Sequence, residues 1–385
     1  MAIKNKNILF VSYMFLDSHL CKQSRFSILK SLSKKGNKTF LFAAHINKKN
    51  ITKTTIFHQT SISLPGIQLV NFITYQMKSL FIIPKIIFNK NIDVVICDIN
   101  STPSIIPLLI LKKFSLIETT FILDFRSNIL HSRKNFIQNI FKDIYLRIMI
   151  NISFILYEKF TFITFSFKSH IEKKFNIKYK NFTVWSSGVD KKFLTETKKV
   201  ENQKFTIIHH GSLEKGRGIM RLIDSMPLLK NELSNKVVLK IAGVGSLAKQ
   251  ISELSKNSKY NLKFYGEIKH EDIIAFIDIG DMGIVPFDNS IANRTSSPLK
   301  VVEYVARNKI ILATKLKNFE NNFSHYSSIY YMKSNSSKDI ASAIENIISN
   351  YDKIKKNNLG DGQILIRQKY TWDVQAEKII KFIHD

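Results

Sequence analysis

Between Phe205 and Thr314 the chain repeats one unit: a short apolar run, a glycine-bearing or polar turn, then a helical pattern. The first run, Phe205–His210, breaks at Gly211. It leads through Gly211-Ser-Leu-Glu-Lys-Gly-Arg217-Gly218 to a helix pattern over Ile219–Met226. The second run, Val237–Ala242, enters Gly243-Val-Gly245, and the third, Leu262–Gly266, precedes another short helix pattern. The fourth, Met282–Phe287, opens a polar loop over Asp288–Ser297; Ser297-Pro298 then starts a helix carrying Lys300 and Glu303. Ile310–Thr314 closes the set. Runs this short, separated by helices, predict βαβ units in a parallel sheet, so the fold class is α/β. Such sheets bind ligands beyond the carboxyl ends of their strands. The glycine and polar turns fall at those ends.

The same alternation fills the first half: strands over Ile8–Tyr13, Thr39–Ala44, Ile92–Cys97, Phe121–Asp124 and Phe162–Phe165. A helix is expected over Ser24–Leu32, with Phe26, Leu29 and Leu32 on one face and Gly36 as its stop. A chain of 385 residues exceeds what one core usually organises, so two domains are expected. The polar stretch Asp190–Lys204 reads as the linker, giving domains over 1–190 and 205–370. A net charge of +28 points to an anionic partner (a phosphorylated ligand, an acidic lipid surface or nucleic acid) or reflects a lysine- and asparagine-rich compositional bias. No arrangement of arginine clusters with interleaved aromatics supports nucleic acid. Cys21 and Cys97 make neither a disulfide framework nor a metal set, which fits a reducing compartment and a cytoplasmic location. The apolar run Ile8–Val11 is too short for a secretion signal. Ile148–Phe167 carries Glu158 and Lys159 near its middle and reads as a helix followed by a strand, not a membrane span.

Four segments occur in a fixed order between Gly211 and Ala306. They are Gly211-x-Leu-x-x-x-Arg217-Gly218, Ile-Ala-Gly243-x-Gly245, Phe-Tyr-Gly266-Glu-Ile and Ser297-Pro-Leu-Lys300-Val-Val-Glu303-Tyr304-Val-Ala306. Together they resemble the donor-binding domain of family 4 glycosyltransferases. The resemblance implies the GT-B fold: two Rossmann-like parallel-sheet domains facing across a cleft, with a C-terminal helix crossing back to the first. Phe182–Asp190 resembles the segment before the family's linker, and Lys369-Tyr-Thr-Trp372 its closing element, so 372–385 would join the first domain. The implied activity is retaining transfer of a sugar from a nucleoside diphosphate sugar to a cell-surface glycan or lipid-linked acceptor. It needs no cofactor and no metal. Three departures stand out. Ser212 occupies the place of a second basic residue, with Lys215 and Lys300 as candidates for the missing charge. Thr295 occupies the place of the first glutamate of the family's glutamate pair, and the first loop, Leu16–Gln23, lacks the family's glycines.

The residues carry their own chemistry. Ser297 suits an N-cap and Pro298 the first helical turn, and a helix start there attracts phosphate or sugar oxygen. Glu303, one turn on, can accept ribose hydroxyls as acidic residues do in dinucleotide folds, or pair with a nearby lysine. Arg217 offers a planar fork to a diphosphate, or is an exposed surface arginine. Gly211, Gly243 and Gly245 permit close backbone approach, or mark ordinary tight turns. Thr295 and Ser296, with Asn293 and Arg294, offer contacts to the transferred sugar. In the first domain, Asp124 either orients an acceptor hydroxyl or pairs structurally with Arg126, and His131 is the histidine nearest the expected cleft. The competing readings are another GT-B enzyme such as a sugar-nucleotide epimerase, and a basic membrane- or nucleic-acid-binding protein without chemistry.

Phe136, Ile140, Phe141 and Ile144 share a helical face among Arg133, Lys134 and Lys142. Core packing is the commoner fate of such a face. The functional reading is an interfacial helix on an anionic membrane, its cations each contributing about 1 kcal/mol.

Overall fold

The computed structural model describes residues 5–16, 22–47, 54–126, 136–196, 202–357 and 360–385. The chain forms two compact units: Met1–Ser187 with Trp372–Asp385, and Gly188–Thr371.

In the first unit, β1 (Asn7–Phe15), α1 (Ser27–Lys34), β2 (Lys38–His45) and β3 (His58–Ser63) come first. Then follow α2 (Gln68–Asn89), β4 (Val94–Cys97), α3 (Thr102–Lys113), β5 (Thr120–Phe125), α4 (Phe136–Leu156), β6 (Lys159–Phe162), α5 (Phe165–Phe175) and β7 (Phe182–Val184). The seven strands form a parallel sheet in the order β3-β2-β1-β4-β5-β6-β7. Its central strands read as unbroken apolar runs because helices cover both faces. Val94–Cys97 is buried throughout, and Cys97 is an enclosed thiol beside Tyr157. At the order reversal between β1 and β4 the strand ends are tied together. Asp98 accepts from the Ser12 hydroxyl (2.7 Å), the Tyr13 amide (2.9 Å) and Ser101.

Three features differ from the sequence reading. The strand expected at Phe162–Phe165 lies at Lys159–Phe162, because Thr164 caps the next helix, its hydroxyl accepting from the Phe167 amide at 3.0 Å. The helix expected from Ser24 starts regularly only at Ser27, after a wide turn over Lys22–Phe26; Leu29 and Leu32 are its core side. Residues 47–91, to which periodicity assigns nothing, contain β3 and the 22-residue α2. Helix α2 is apolar on several sides, so no amphipathic signal marks it.

Helices α2, α3 and α4 pack side by side. Helix α4 turns Leu146, Met149 and Ile150 into the core, while Ile140, Phe141 and Ile144 lie outside, with Phe141 68% exposed. Its Phe141 face is therefore not core. Helix α2 repeats this, with Ile73, Met77 and Phe81 exposed and Tyr75, Ile83 and Ile87 buried.

The second unit runs β8 (Phe205–Ser212), α6 (Ile219–Ser225), β9 (Val237–Val244), α7 (Ala248–Leu254), β10 (Leu262–Phe264) and α8 (Ile273–Asp278). It continues β11 (Met282–Val285), α9 (Leu299–Ala306), β12 (Ile310–Thr314), α10 (Lys317–Phe323), β13 (Ile329–Met332), α11 (Ser337–Ser349), α12 (Tyr351–Asn357) and α13 (Asp361–Lys369). Its six parallel strands are ordered β10-β9-β8-β11-β12-β13, with an apolar core on each sheet face. Arg307, just after α9, is buried. It pairs with Asp278 (2.7 Å) and donates to the carbonyls of Phe193, Thr195 and Glu196, fastening the segment that enters the unit. The last helix, α14 (Trp372–His384), returns to the first unit. It packs on α1 and β7, and its Gln375 accepts from the Ser186 amide (2.8 Å).

Gly243 faces Gly211 in the β8–β9 register, with φ +148°, and a Cβ there would strike the Gly211 carbonyl. Gly243→Ala should cost roughly 1–3 kcal/mol of stability, as overpacking does. Urea unfolding of the variant checks this, and an unchanged midpoint would show that the strand ends can part without cost.

Candidate active site

The order of the second sheet reverses between β8 and β11, the place where open parallel sheets bind ligands beyond their carboxyl ends. Strand β8 ends in His209, His210 and Gly211, and β11 is followed by Pro286, Phe287 and Asp288. Helix α9 brings Lys300 and Glu303 to this point, and the turn before α6 brings Arg217.

Lys300 is buried. Its Nζ lies 3.0 Å from His209 Nε2 and 5.3 Å from the centre of the Phe287 ring. It also flanks Gly211, where a Cβ would sit 3.6 Å from its Cε and Nζ. Lys215 is exposed, so Lys300 is the cation that accompanies the glycine turn. Burial, and then the nearby Arg217, pull the Lys300 pKa well below the usual lysine range, against a smaller opposing effect of Glu303. Glu303 is buried and does not bond to a lysine. Its Oε2 lies 2.7 Å from His210 Nε2, and its other oxygen has no bond among the described residues.

Arg217 is half-buried rather than a free surface arginine. Its Nη1 donates to Asn293 Oδ1 (2.9 Å), and its guanidinium lies 4.6 Å from the centre of the Phe287 ring. Burial lowers its pKa. Asn293 is the hub of the loop: its amide donates to the carbonyls of Gly216 (3.0 Å) and Asp288 (2.9 Å). Asn318 in turn donates to the carbonyls of Asn293 and Ser296. The result is two partly desolvated cations on one aromatic ring at a strand end, an arrangement that an anion relieves.

Other expected residues take local roles. The Thr295 hydroxyl donates to the Ile291 carbonyl (2.8 Å) and the Ser296 hydroxyl to that of Asn293 (3.0 Å). Ser297 is not the N-cap. Pro298 is extended at ψ 118° and takes that position, so α9 begins at Leu299, one residue later than expected. The space a Cβ would need at Gly243 and Gly245 is held by the Gly211 and Leu213 carbonyls, so the chain's own backbone requires these glycines.

In the first unit Asp124 is enclosed. It accepts from Arg25 (2.7 Å), Arg126 (3.0 Å) and Thr161 (2.7 Å). Burial opposes its charge, but Arg126 and Arg25 outweigh that and hold its pKa below the usual carboxylate range. Both oxygens are thus occupied from within the unit, the geometry of the structural pair with Arg126. Arg126 stacks on Trp185, 3.2 Å from the ring centre. His131, Arg133, Lys134 and most of the Leu16–Gln23 loop lie outside the described residues.

Sequence reasoning passed over His209 and His210, which sit inside an apolar run. Two adjacent imidazoles directly before a glycine turn are the signal that marks them.

An anion beside Lys300 favours its charged form, so the depressed pKa should rise on binding and a proton should be taken from solution. Calorimetric titration with pyrophosphate at about pH 8.5, below the unperturbed lysine value of about 10.4, should show proton uptake across buffers of different ionisation enthalpy. Lys300→Met should abolish it. Uptake that persists in that variant would assign the proton elsewhere.

The family model described as Glycosyl transferases group 1 matches residues 190–361, just under half of the chain and nearly all of the second unit. A search of curated proteins gives no match. Solved structures align over almost the whole length. A glycosyltransferase from Rickettsia africae is 15% identical, covering 99% of this chain and 100% of that one, with a TM-score of 0.72. HepE from Anabaena, in complex with UDP and glucose, is 13% identical over 99% and 100%, at 0.71. Sucrose-phosphate synthase from Thermosynechococcus elongatus is 11% identical over 98% of each chain, at 0.76. At such identities the likeness is one of fold. The second unit thus carries the domain of group 1 glycosyl transferases, and the whole chain has the GT-B fold of these solved structures.

Proposed function

We propose that the protein is a retaining glycosyltransferase of family 4 type. It moves a sugar from a nucleoside diphosphate sugar to a cell-surface glycan or lipid-linked acceptor, with residues 205–370 as the donor-binding domain. The observation that carries this reading is the pairing of Arg217 and Lys300 around Phe287 at the end of β8. The bond between the sugar's anomeric carbon and the diphosphate oxygen breaks, and its electron pair leaves with the diphosphate. The two cations stabilise that charge without needing a metal, because they are already oriented and partly desolvated. The acceptor hydroxyl then bonds to the anomeric carbon on the face the diphosphate leaves, and its proton passes to the departing diphosphate oxygen. The free oxygen of Glu303 accepts from the ribose. HepE is described in complex with UDP-glucose, so UDP-sugars are the first donors to test.

A thermal-shift screen of nucleotide sugars identifies the donor, because a ligand that binds only the native state stabilises it. Glu303→Ala should weaken binding of that nucleoside diphosphate by ~1–3 kcal/mol, the range for a lost charged hydrogen-bond partner. Unchanged affinity in a folded variant sinks the ribose role. Arg217→Lys should lose much of its turnover, since a point charge does not replace the fork. Epimerised donor without transfer would favour the epimerase reading.

The reaction runs at the cytoplasmic face of a membrane, serving polysaccharide assembly, with the protein bound peripherally. The support is the outer side of the α2–α4 layer. Ile73, Met77 and Phe81 on α2, and Phe141, Ile144 and Ile148 on α4, are all more than two-fifths exposed. Apolar patches of this kind mark interaction sites. Lys78 and Lys85 on α2 and Lys113 on α3 are also exposed, in a chain of net charge +28. Among the described residues no helix is long and apolar enough to cross a membrane, which fits contact at the surface. Sedimentation with liposomes should show binding that requires anionic lipid, falls with salt, and weakens in Phe81→Glu, Phe141→Glu and on neutralising Arg133, Lys134 and Lys142. Equal binding to neutral vesicles would reject the electrostatic part.

A further inference from the structure

We propose that His209 and His210 are positioning residues, the first holding the Lys300 ammonium for the diphosphate and the second holding the Glu303 carboxylate for the ribose. This rests on the reading of the β8 end as a diphosphate and ribose site. Both imidazoles are buried at the end of one strand, and each contacts one of two α9 residues a single helical turn apart.

The hydrogen-bond directions follow from the partners. His209 Nδ1 lies 2.9 Å from the Ile284 carbonyl, which can only accept, so Nδ1 carries the proton. Nε2 then presents a lone pair to Lys300 Nζ at 3.0 Å. Burial, and then the Lys300 charge, keep the ring neutral by lowering its pKa well below the usual histidine range. His210 is the mirror case. Its Nε2 faces the Glu303 carboxylate at 2.7 Å and donates, while Nδ1 lies 3.1 Å from the Tyr304 hydroxyl.

An apolar residue would fill either slot without burying ring nitrogens, which must each find a partner. Here a ring nitrogen of each histidine goes to a residue that would touch the ligand. A flexible lysine fixed beforehand loses less freedom when the anion arrives. The arrangement therefore acts on affinity and orientation, with no proton transfer to the sugar.

Glutamine and asparagine separate this role from mere filling. A glutamine amide reaches to the place of Nε2, and an asparagine amide to that of Nδ1. His209→Gln keeps an acceptor for Lys300, whereas His209→Asn keeps only the donor to Ile284. His210→Gln keeps a donor for Glu303, whereas His210→Asn does not. Binding is measured by calorimetry with inorganic pyrophosphate and with UDP, GDP and ADP. His209→Asn should weaken pyrophosphate and nucleotide alike, roughly tenfold, the scale of one charged hydrogen bond. His210→Asn should weaken the nucleotide but leave pyrophosphate unchanged. The glutamine variants should recover most of the loss. In a Lys300→Met background His209→Asn should have no further effect.

Equal behaviour of the glutamine and asparagine variants, or loss of pyrophosphate binding in His210→Asn, would overturn the proposal. So would an additive cycle with Lys300→Met. A measurement on the native protein does not depend on whether variants fold: nitrogen-15 spectra near about pH 7 should show His209 as the neutral Nδ1–H tautomer. An Nε2–H tautomer would refute the Lys300 contact. If the native protein binds neither pyrophosphate nor any of the three nucleotides, the diphosphate reading itself has failed. Native binding with an unaltered His209→Asn variant defeats only the positioning role.

Discussion

Keeping two cations, Arg217 and Lys300, out of full contact with water at one strand end is the constraint around which the second unit is arranged. Lys300 is buried and Arg217 half-buried, and each has its pKa lowered, first by burial. Charges so placed are costly unless paired or hydrogen-bonded. The surroundings answer that demand. Phe287 presents its ring to both, His209 accepts from the lysine, and Asn293 accepts from the arginine. Asn293 is itself fixed by two backbone carbonyls, and its own carbonyl by Asn318. Close packing of the turns follows from the glycines. Gly218 starts α6 in the left-handed region at φ +71°, where a Cβ would collide with the Pro286 carbonyl.

The two units use one topology differently. Each sheet reverses its strand order once, between β1 and β4 or between β8 and β11. In the first unit Asp98 bonds across the reversal to Ser12 and Tyr13. The nearby charge at the end of β5 is also settled internally, as Asp124 accepts from both Arg25 and Arg126. In the second unit two cations converge at the reversal, with Glu303 beside Lys300 and Glu214 near Arg217. Electrostatics thus separates the two sheets, although their strand patterns are alike.

Much of this was legible in the chain. Alternating apolar runs and helical patterns determine a parallel α/β fold, because strands covered on both faces must be continuously apolar. Gly211, Arg217, Lys300 and Glu303 could be singled out because a turn after a strand is where a parallel sheet meets its ligand. What the residue order could not say is which partner each would find. Lys215 and Lys300 were equivalent candidates in the sequence, and only the packing of α9 against the end of β8 brings Lys300 beside Gly211. Asp124 and Arg126 stand two residues apart, yet Arg25, from 99 residues upstream, completes the pair and encloses it. Helix α2 has no amphipathic signature because its outer side is apolar as well as its inner one, and exposure is a property of the layer, not of the period. His209 and His210 looked like part of an apolar strand, since local pattern reports burial. Their contacts with Lys300 and Glu303 span 91 and 93 residues. Hydrogen bonds across such distances exist only once the sheet has brought β8 and α9 together.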